Sequence, residues 1–355
     1  MKKTTAVILT TFICTAAFAQ SNDFAPAVTV RLSKTEVITV KQFKTQIENT
    51  EKLARRPLSK EEKQQVLDGM IDEKLVFQDA ERNNITVSDA EINKQVDAMR
   101  VQMTQQAGRQ PSEAEFVQAI KDQTGLDMPA FREYLRKQTL SQKYLLAKKP
   151  KLQDSIKEPT EQDVVEFYNL HKAEMVRPDT VRCSMIRVLF GSDRPKAKML
   201  IDKLASEIGS DAAKFDEVMI KGQLQGSGYQ AGDAGYLPRM AEVQQMMGQD
   251  FMNTAFALKQ GTVSKVIEAV EPSRPSVGFY AIIKVTETYA QKQLVLDDIF
   301  QLGYPITVRN YIKQGLAQQN QQAAIQQATA DIIKELRKSK LFEINQKNIE
   351  NIMNG

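Results

Sequence analysis

Residues 278–285 read "GFYAIIKV". Phe279, Ala281, Ile283 and Val285 fall on one side of a period-two pattern and Tyr280 and Ile282 on the other, which predicts a strand, the last of a small domain. Upstream of it the same texture runs back to Thr180. A strand "TVRCSMIRVLF" is followed by helices "RPKAKMLIDKLASEIG" and "AAKFDEVMIKG" and a glycine-rich run "GSGYQAGDAGYL". A helix "DFMNTAFALKQG" and strands "TVSKVIEA" and "VGFYAIIKV" complete the unit. The order β-α-α-β-α-β-β predicts an α+β domain with helices packed on a small sheet.

Residues 20–158 read differently. "VTVRLSKTEVITVKQF" predicts two short strands around a turn at Ser33 to Thr35, then a helix. In "LSKEEKQQVLDGMIDEKLVFQDAERNNI", Val66, Leu67, Met70, Ile71, Leu75 and Val76 recur at helical spacing. Ser88 and Glu91 form a capping box that opens a helix with the stripe Ile92, Val96, Met99 and Met103. Helices "PSEAEFVQAIKDQTG" and "DMPAFREYLRKQTLSQKYLLAKK" follow. Residues 159–177 read as a linker containing one helix, Glu161 to His171, with His171 solvated at its polar end. In residues 290–355, Ile325, Ala328, Ile332, Ile333 and Leu336 form a helical stripe that needs a partner, and "LFEI" can add a strand. Docking of this tail on the N-terminal helices gives a mainly helical domain interrupted by the α+β domain of residues 178–289.

The opening "MKKTTAVILTTFICTAAFAQ" has two lysines, an apolar run too short to span a bilayer, and Ala17 and Ala19 before Gln20. It predicts a secretory signal, residues 1–19, cleaved after Ala19; an uncleaved anchor or lipidation at Cys14 are the alternatives. The net charge of +4 includes Lys2 and Lys3, and no dense basic patch argues for nucleic acid. Cys14 and Cys183 are the only cysteines, so the mature chain has no internal disulfide, and Cys183 reads as a core residue of its strand. His171 is the only histidine; no metal site and no cofactor are expected.

Taken together, "VRCSMIRVLF", "FDEVMIKG", "GDAGYL", "FMNTAFALKQGTVSKVIEA" and "AIIKV", in this order, resemble a parvulin prolyl-isomerase domain. "VLDGMIDEKLVFQDAERNNITVSDAEI", "AFREYLRKQTLSQKYLL", "EPTEQDVVEFYNLHKAEMVRPD" and "IIKELRKSKLFEI" resemble the SurA/PrsA class of exported foldases. The resemblance implies a periplasmic chaperone of unfolded exported or outer-membrane proteins, expected to be monomeric, with an active prolyl isomerase as the alternative function. Parvulins hold proline in an apolar pocket beside two histidines and an aspartate or cysteine. The pocket spacing is kept at Met247, Phe251 and Phe256. The polar positions fall on Met185, Gln225 and Ala281, and the leucine of the family's "GDLG" is Ala234. No catalytic residue is therefore expected. Met185 is read as a substrate contact that joins Met240, Met246 and Met247, either as an adaptable binding surface or as ordinary packing.

Overall fold

The computed structural model describes residues 22–224, 226–271, 274–339 and 341–354. The predicted signal, with Cys14, lies outside the described residues, and so does Gln225. Among the described residues no helix is long and apolar enough to cross a membrane.

After a short 3-10 turn at Asn22–Phe24, the described residues form an antiparallel hairpin, β1 (Pro26–Arg31) and β2 (Thr35–Thr39), in which Val28 pairs with Ile38. Five long helices follow: α1 (Val40–Ala54), α2 (Lys60–Arg82), α3 (Asp89–Ala107), α4 (Glu113–Thr124) and α5 (Met128–Lys148). The first four begin in capping boxes, set by Thr39, Ser59, Ser88 and Ser112, and Asp127 caps the fifth ahead of a proline in its first turn. A short α6 (Leu152–Ser155) ends this run.

The middle of the chain starts with α7 (Glu161–His171) and β3 (Val176–Arg177) and continues through β4 (Thr180–Leu189), α8 (Arg194–Ile208), α9 (Ala212–Gly222) and β5 (Gln230–Pro238). Then come α10 (Ala241–Met247), α11 (Gln249–Ala257), β6 (Ile267–Glu271) and β7 (Arg274–Tyr289). β8 (Lys292–Gln293), β9 (Ile299–Gln301), β10 (Tyr304–Thr307), α12 (Val308–Lys338), β11 (Phe342–Ile344) and α13 (Gln346–Asn354) complete it.

Contacts divide the chain into two units. One ends at Ile156 and resumes at Gln322; the other is Lys157–Gln321. In the first, β11 closes a three-stranded sheet in the order β11-β1-β2, with Val28 opposite Ile344. Beneath it Phe43, Leu67, Ile71, Leu75 and Ile349 share one core. A second cluster joins Ile92 and Val96 of α3 to Phe116 and Ile120 of α4 and Phe131 and Leu135 of α5. The α2 and α3 stripes predicted from spacing are the ones buried, because an amphipathic helix gains most of its stability by covering that face.

The second unit holds the antiparallel sheet β5-β4-β7-β6. Alternation sorts its side chains into two layers. Val181 and Cys183 on β4 and Ala281, Ile283 and Val285 on β7 meet α11, whereas Ile186, Val188, Tyr280 and Ile282 meet α8 and α9. Gly278 has no side chain because a Cβ there would press on the Ala269 carbonyl oxygen and the Phe190 ring, so the β6–β7 approach needs glycine.

Several details differ from the sequence expectation. α10 precedes α11 where one helix was expected, and the glycine-rich run continues into β5. Residues 159–177 and 290–321, read as a linker and as part of the docking tail, group with the sheet unit. The reason is a small core of Val164, Tyr168, Met175, Leu294, Val308 and Ile312, with the Tyr168 hydroxyl donating to the Leu294 carbonyl at 2.9 Å. His171 is not freely solvated: its ring stacks on Phe167 at 4.3 Å, and Nδ1 lies 3.3 Å from a Glu174 carboxylate oxygen.

Candidate functional site

The site residues expected from the sequence gather on the α11 face of the sheet. β4 supplies Met185 and β7 supplies Ala281; the register pairs Met185 with Ile283 and Arg187 with Ala281, so the two positions are diagonal neighbours on one face, roughly 7–8 Å apart. Phe251 is fully buried against this face, its ring edge-on to Phe279 with centroids 6.2 Å apart. Met247 from the end of α10, Phe256 from α11, Ala234 from β5, Met185 and Phe279 are partly buried around the same cluster, and Ala281 is completely buried within it. Met247, Phe251, Phe256 and Met185 thus share one apolar cluster, whereas Met240 and Met246 are 47% and 66% exposed and do not belong to it. Met252, not singled out in the sequence, is buried in their place.

Two groups of the site escaped the sequence reading. The Arg187 guanidinium lies 5.8 Å from the Phe279 ring centre and donates through Nε to the Gln230 side-chain oxygen at 2.8 Å. The Arg239 guanidinium lies 4.3 Å over the Phe256 ring. Arg187 was legible in principle, two residues after Met185 and so on the same face; Arg239 was not, because only the fold brings it to α11. Cys183, on the same face of β4, is buried, and burial pushes its thiol up to about 12. Neither a thiol in that state nor the side chains of Met185 and Ala281 supply the hydrogen bonds of an imidazole. Among the described residues no three of His, Cys, Asp and Glu converge as a metal site.

The helical unit offers a second candidate surface. Val76 and Phe77 of α2, Tyr134 and Leu145 of α5, and Ile325 and Ile332 of α12 line a cavity of about 570 Å³. Beside it lies a buried polar cluster on Asp79, whose side chain is 1% exposed. The Tyr144 hydroxyl donates to Asp79 at 2.7 Å, and the Lys148 ammonium and Arg82 guanidinium lie at 2.7 and 2.5 Å. Burial alone would raise the Asp79 pKa, but the hydrogen bonds from Lys148 and Tyr144 outweigh it and hold the carboxyl below its usual value.

Residues 1–145 match the family model of the SurA-like N-terminal domain, and residues 159–299 match that of the PPIC-type PPIASE domain. Foldase protein PrsA of Clostridium botulinum (strain Hall) is 27% identical over 319 residues, covering 87% of this chain and 81% of that protein. Foldase protein PrsA of Clostridium acetobutylicum is 28% identical over 272 residues, 74% and 73% of the two chains. Among solved structures, a SurA-like chaperone of Campylobacter jejuni covers 90% of this chain and 99% of its own at 16% identity and a TM-score of 0.39. The PrsA foldase of Lactococcus lactis covers 91% and 96% at 17% identity and a TM-score of 0.33. The chain thus carries a SurA-like N-terminal domain followed by a PPIC-type prolyl-isomerase domain, and over most of its length it is similar to the PrsA foldases.

Proposed function

We propose that the protein is a monomeric periplasmic chaperone, exported by a signal cleaved after Ala19, that binds unfolded exported polypeptides, outer-membrane proteins among them. In this reading the parvulin domain grips prolyl segments through the partly buried Met185, Met247 and Phe256, with the fully buried Phe251 supporting them from beneath, and isomerises them weakly or not at all. The observation that carries the reading is the makeup of the α11 face: Ala281 is fully buried and Met185 half-buried in an apolar cluster, and the chain's single histidine packs on Phe167.

Rotation about a peptide bond costs about 18–20 kcal/mol, and uncatalysed prolyl exchange takes on the order of tens of seconds. Catalysis needs groups whose hydrogen bonds strengthen as the amide twists, held in place beforehand. An apolar cleft binds ground state and twisted state about equally, which gives affinity without rate. The helical unit, with its apolar cavity between α2, α5 and α12, is the second grip on unfolded chain.

Cis-to-trans relaxation of a short Ala-Pro peptide tests the first half, with the spontaneous rate expected at equimolar protein. A rate clearly above it would replace this reading with that of an active isomerase of exported proteins. Aggregation of a denatured β-barrel protein tests the second; failure to suppress it at several-fold molar excess would remove the chaperone function.

A further inference from the structure

The run Lys148–Lys149–Pro150–Lys151 borders two neighbouring cavities of the helical unit. One, of about 840 Å³, is lined by the end of α5, the last turns of α12 and the chain entering β11. The other, of about 620 Å³, lies between the α5–α6 turn and Ala324–Asp331 of α12. Lys148, Lys149 and Asp331 line both, which makes them one trough along the flank of α12. Its apolar wall includes Leu32, Ile332, Leu336 and Leu341 in the first part and Leu152 and Ala328 in the second.

The charges of the trough do not balance. Arg82, Lys148, Lys149, Lys151, Lys334 and Lys338 line it against Asp79, Asp331 and Glu335. Asp79 is engaged by Arg82 and Lys148, and Glu335 by Lys338 at 2.6 Å. Lys149 reaches Asp331 only at 3.9 Å. Lys151 and Lys334 have no carboxylate partner among the described residues. A purely apolar occupant would draw these ammonium groups out of water without compensation, and a polyanion such as nucleic acid has no side chains for the apolar wall. An occupant that satisfies both must be apolar and acidic together.

We propose that this trough binds polypeptide segments in which carboxylate side chains lie next to apolar ones, giving the foldase a preference for acidic–apolar stretches of its clients. The proposal rests on the chaperone reading and names the chemistry of one of its contact surfaces. Steering by the lysines makes the binding weaken with added salt, since exposed charges are screened over about 8–10 Å at physiological ionic strength.

The test uses the full mature chain and fluorescence anisotropy of labelled peptides, acetylated and amidated so that only side chains carry charge. One peptide alternates Leu and Phe with Asp; the second has Asn in place of Asp. We expect the Asp peptide to bind at least about tenfold more tightly at low salt, a difference of about 1.4 kcal/mol. The gap should close at high salt and be abolished in the double variant Lys151→Glu, Lys334→Glu, whose melting curve stays unchanged because both side chains are exposed. Equal affinity for the two peptides, an unaltered preference in the variant, or stronger binding to phosphatidylglycerol vesicles than to the Asp peptide would each overturn the proposal. Aggregation assays separate it from the chaperone reading. If the unaltered chain still protects a denatured β-barrel protein while the peptides bind equally, the trough proposal alone falls; if it neither binds peptides nor protects, both fall.

Discussion

Ala281 is the strand position that the sequence resemblance sets against a parvulin histidine, and it has no room to spare. It is fully buried, between Arg187 of β4 and Ile267 of β6 in register, in the cluster that holds Phe251. Inserting an imidazole there overpacks the sheet and buries a polar ring. Ala281→His should therefore lower stability by about 1–3 kcal/mol in chemical denaturation and should not raise the rate on an Ala-Pro peptide. Cys183, fully buried on the same face of β4, makes the complementary prediction. With its thiol pushed up to about 12, the thiolate fraction at pH 8 is about three orders of magnitude below that of a free cysteine. Iodoacetamide at pH 8 should leave Cys183 unmodified in the native protein and alkylate it completely in guanidinium, as read by mass. Rapid native labelling would mean that the β4 face opens.

At the scale of the element, the helical unit depends on repeated caps. In α2, α3 and α4 the capping glutamates Glu62, Glu91 and Glu115 accept from the backbone N–H groups of Ser59, Ser88 and Ser112. Their carboxyls are held at about 2, first by Arg56, Lys143 and Arg109 respectively and then by the serines. A carboxyl depressed below its unfolded value of about 4.3 contributes stability that is complete above that pH and is lost as pH falls through the folded value. Thermal midpoints followed by helical circular dichroism should therefore drop between about pH 4 and pH 2. A triple variant Glu62→Gln, Glu91→Gln, Glu115→Gln should show a smaller drop over that window while starting from a lower midpoint at pH 7. These boxes were legible in the sequence, since serine three residues before glutamate is a local signal, and Ser88–Glu91 was read there; the others obey the same rule. The small core around Val164, Tyr168 and Leu294 was not legible, because its two halves, within residues 164–175 and 294–312, are more than a hundred residues apart and its strands, β3 and β8, are two residues each.

The whole molecule is two units, and the chain's last segment belongs to the first of them. Ile349 and Met353 of α13 lie in the core beside Leu67 and Ile71, β11 pairs with β1, and the Asn345 N–H donates to the Ala27 carbonyl at 2.9 Å. Ending the chain at Lys338 removes all of this. Burial of Ile349 and Met353 alone is worth about 3–6 kcal/mol. Scanning calorimetry of the truncated protein should show the transition of the helical unit lowered or absent and that of the Lys157–Gln321 unit unmoved; a uniform shift of both would show the units to be one cooperative block. Sequence by itself determined the elements that announce themselves locally: the amphipathic stripes, the capping serine at Ser88, and the alternation of β4 and β7. Only the tertiary structure decided which methionines join the apolar cluster, that Arg187 and Arg239 lie over its rings, and that Lys148 to Lys151 line cavities of the helical unit. Side-chain period is fixed by the backbone within a few residues, whereas burial and charge pairing depend on which distant segment packs alongside, and short-range spacing carries no record of that.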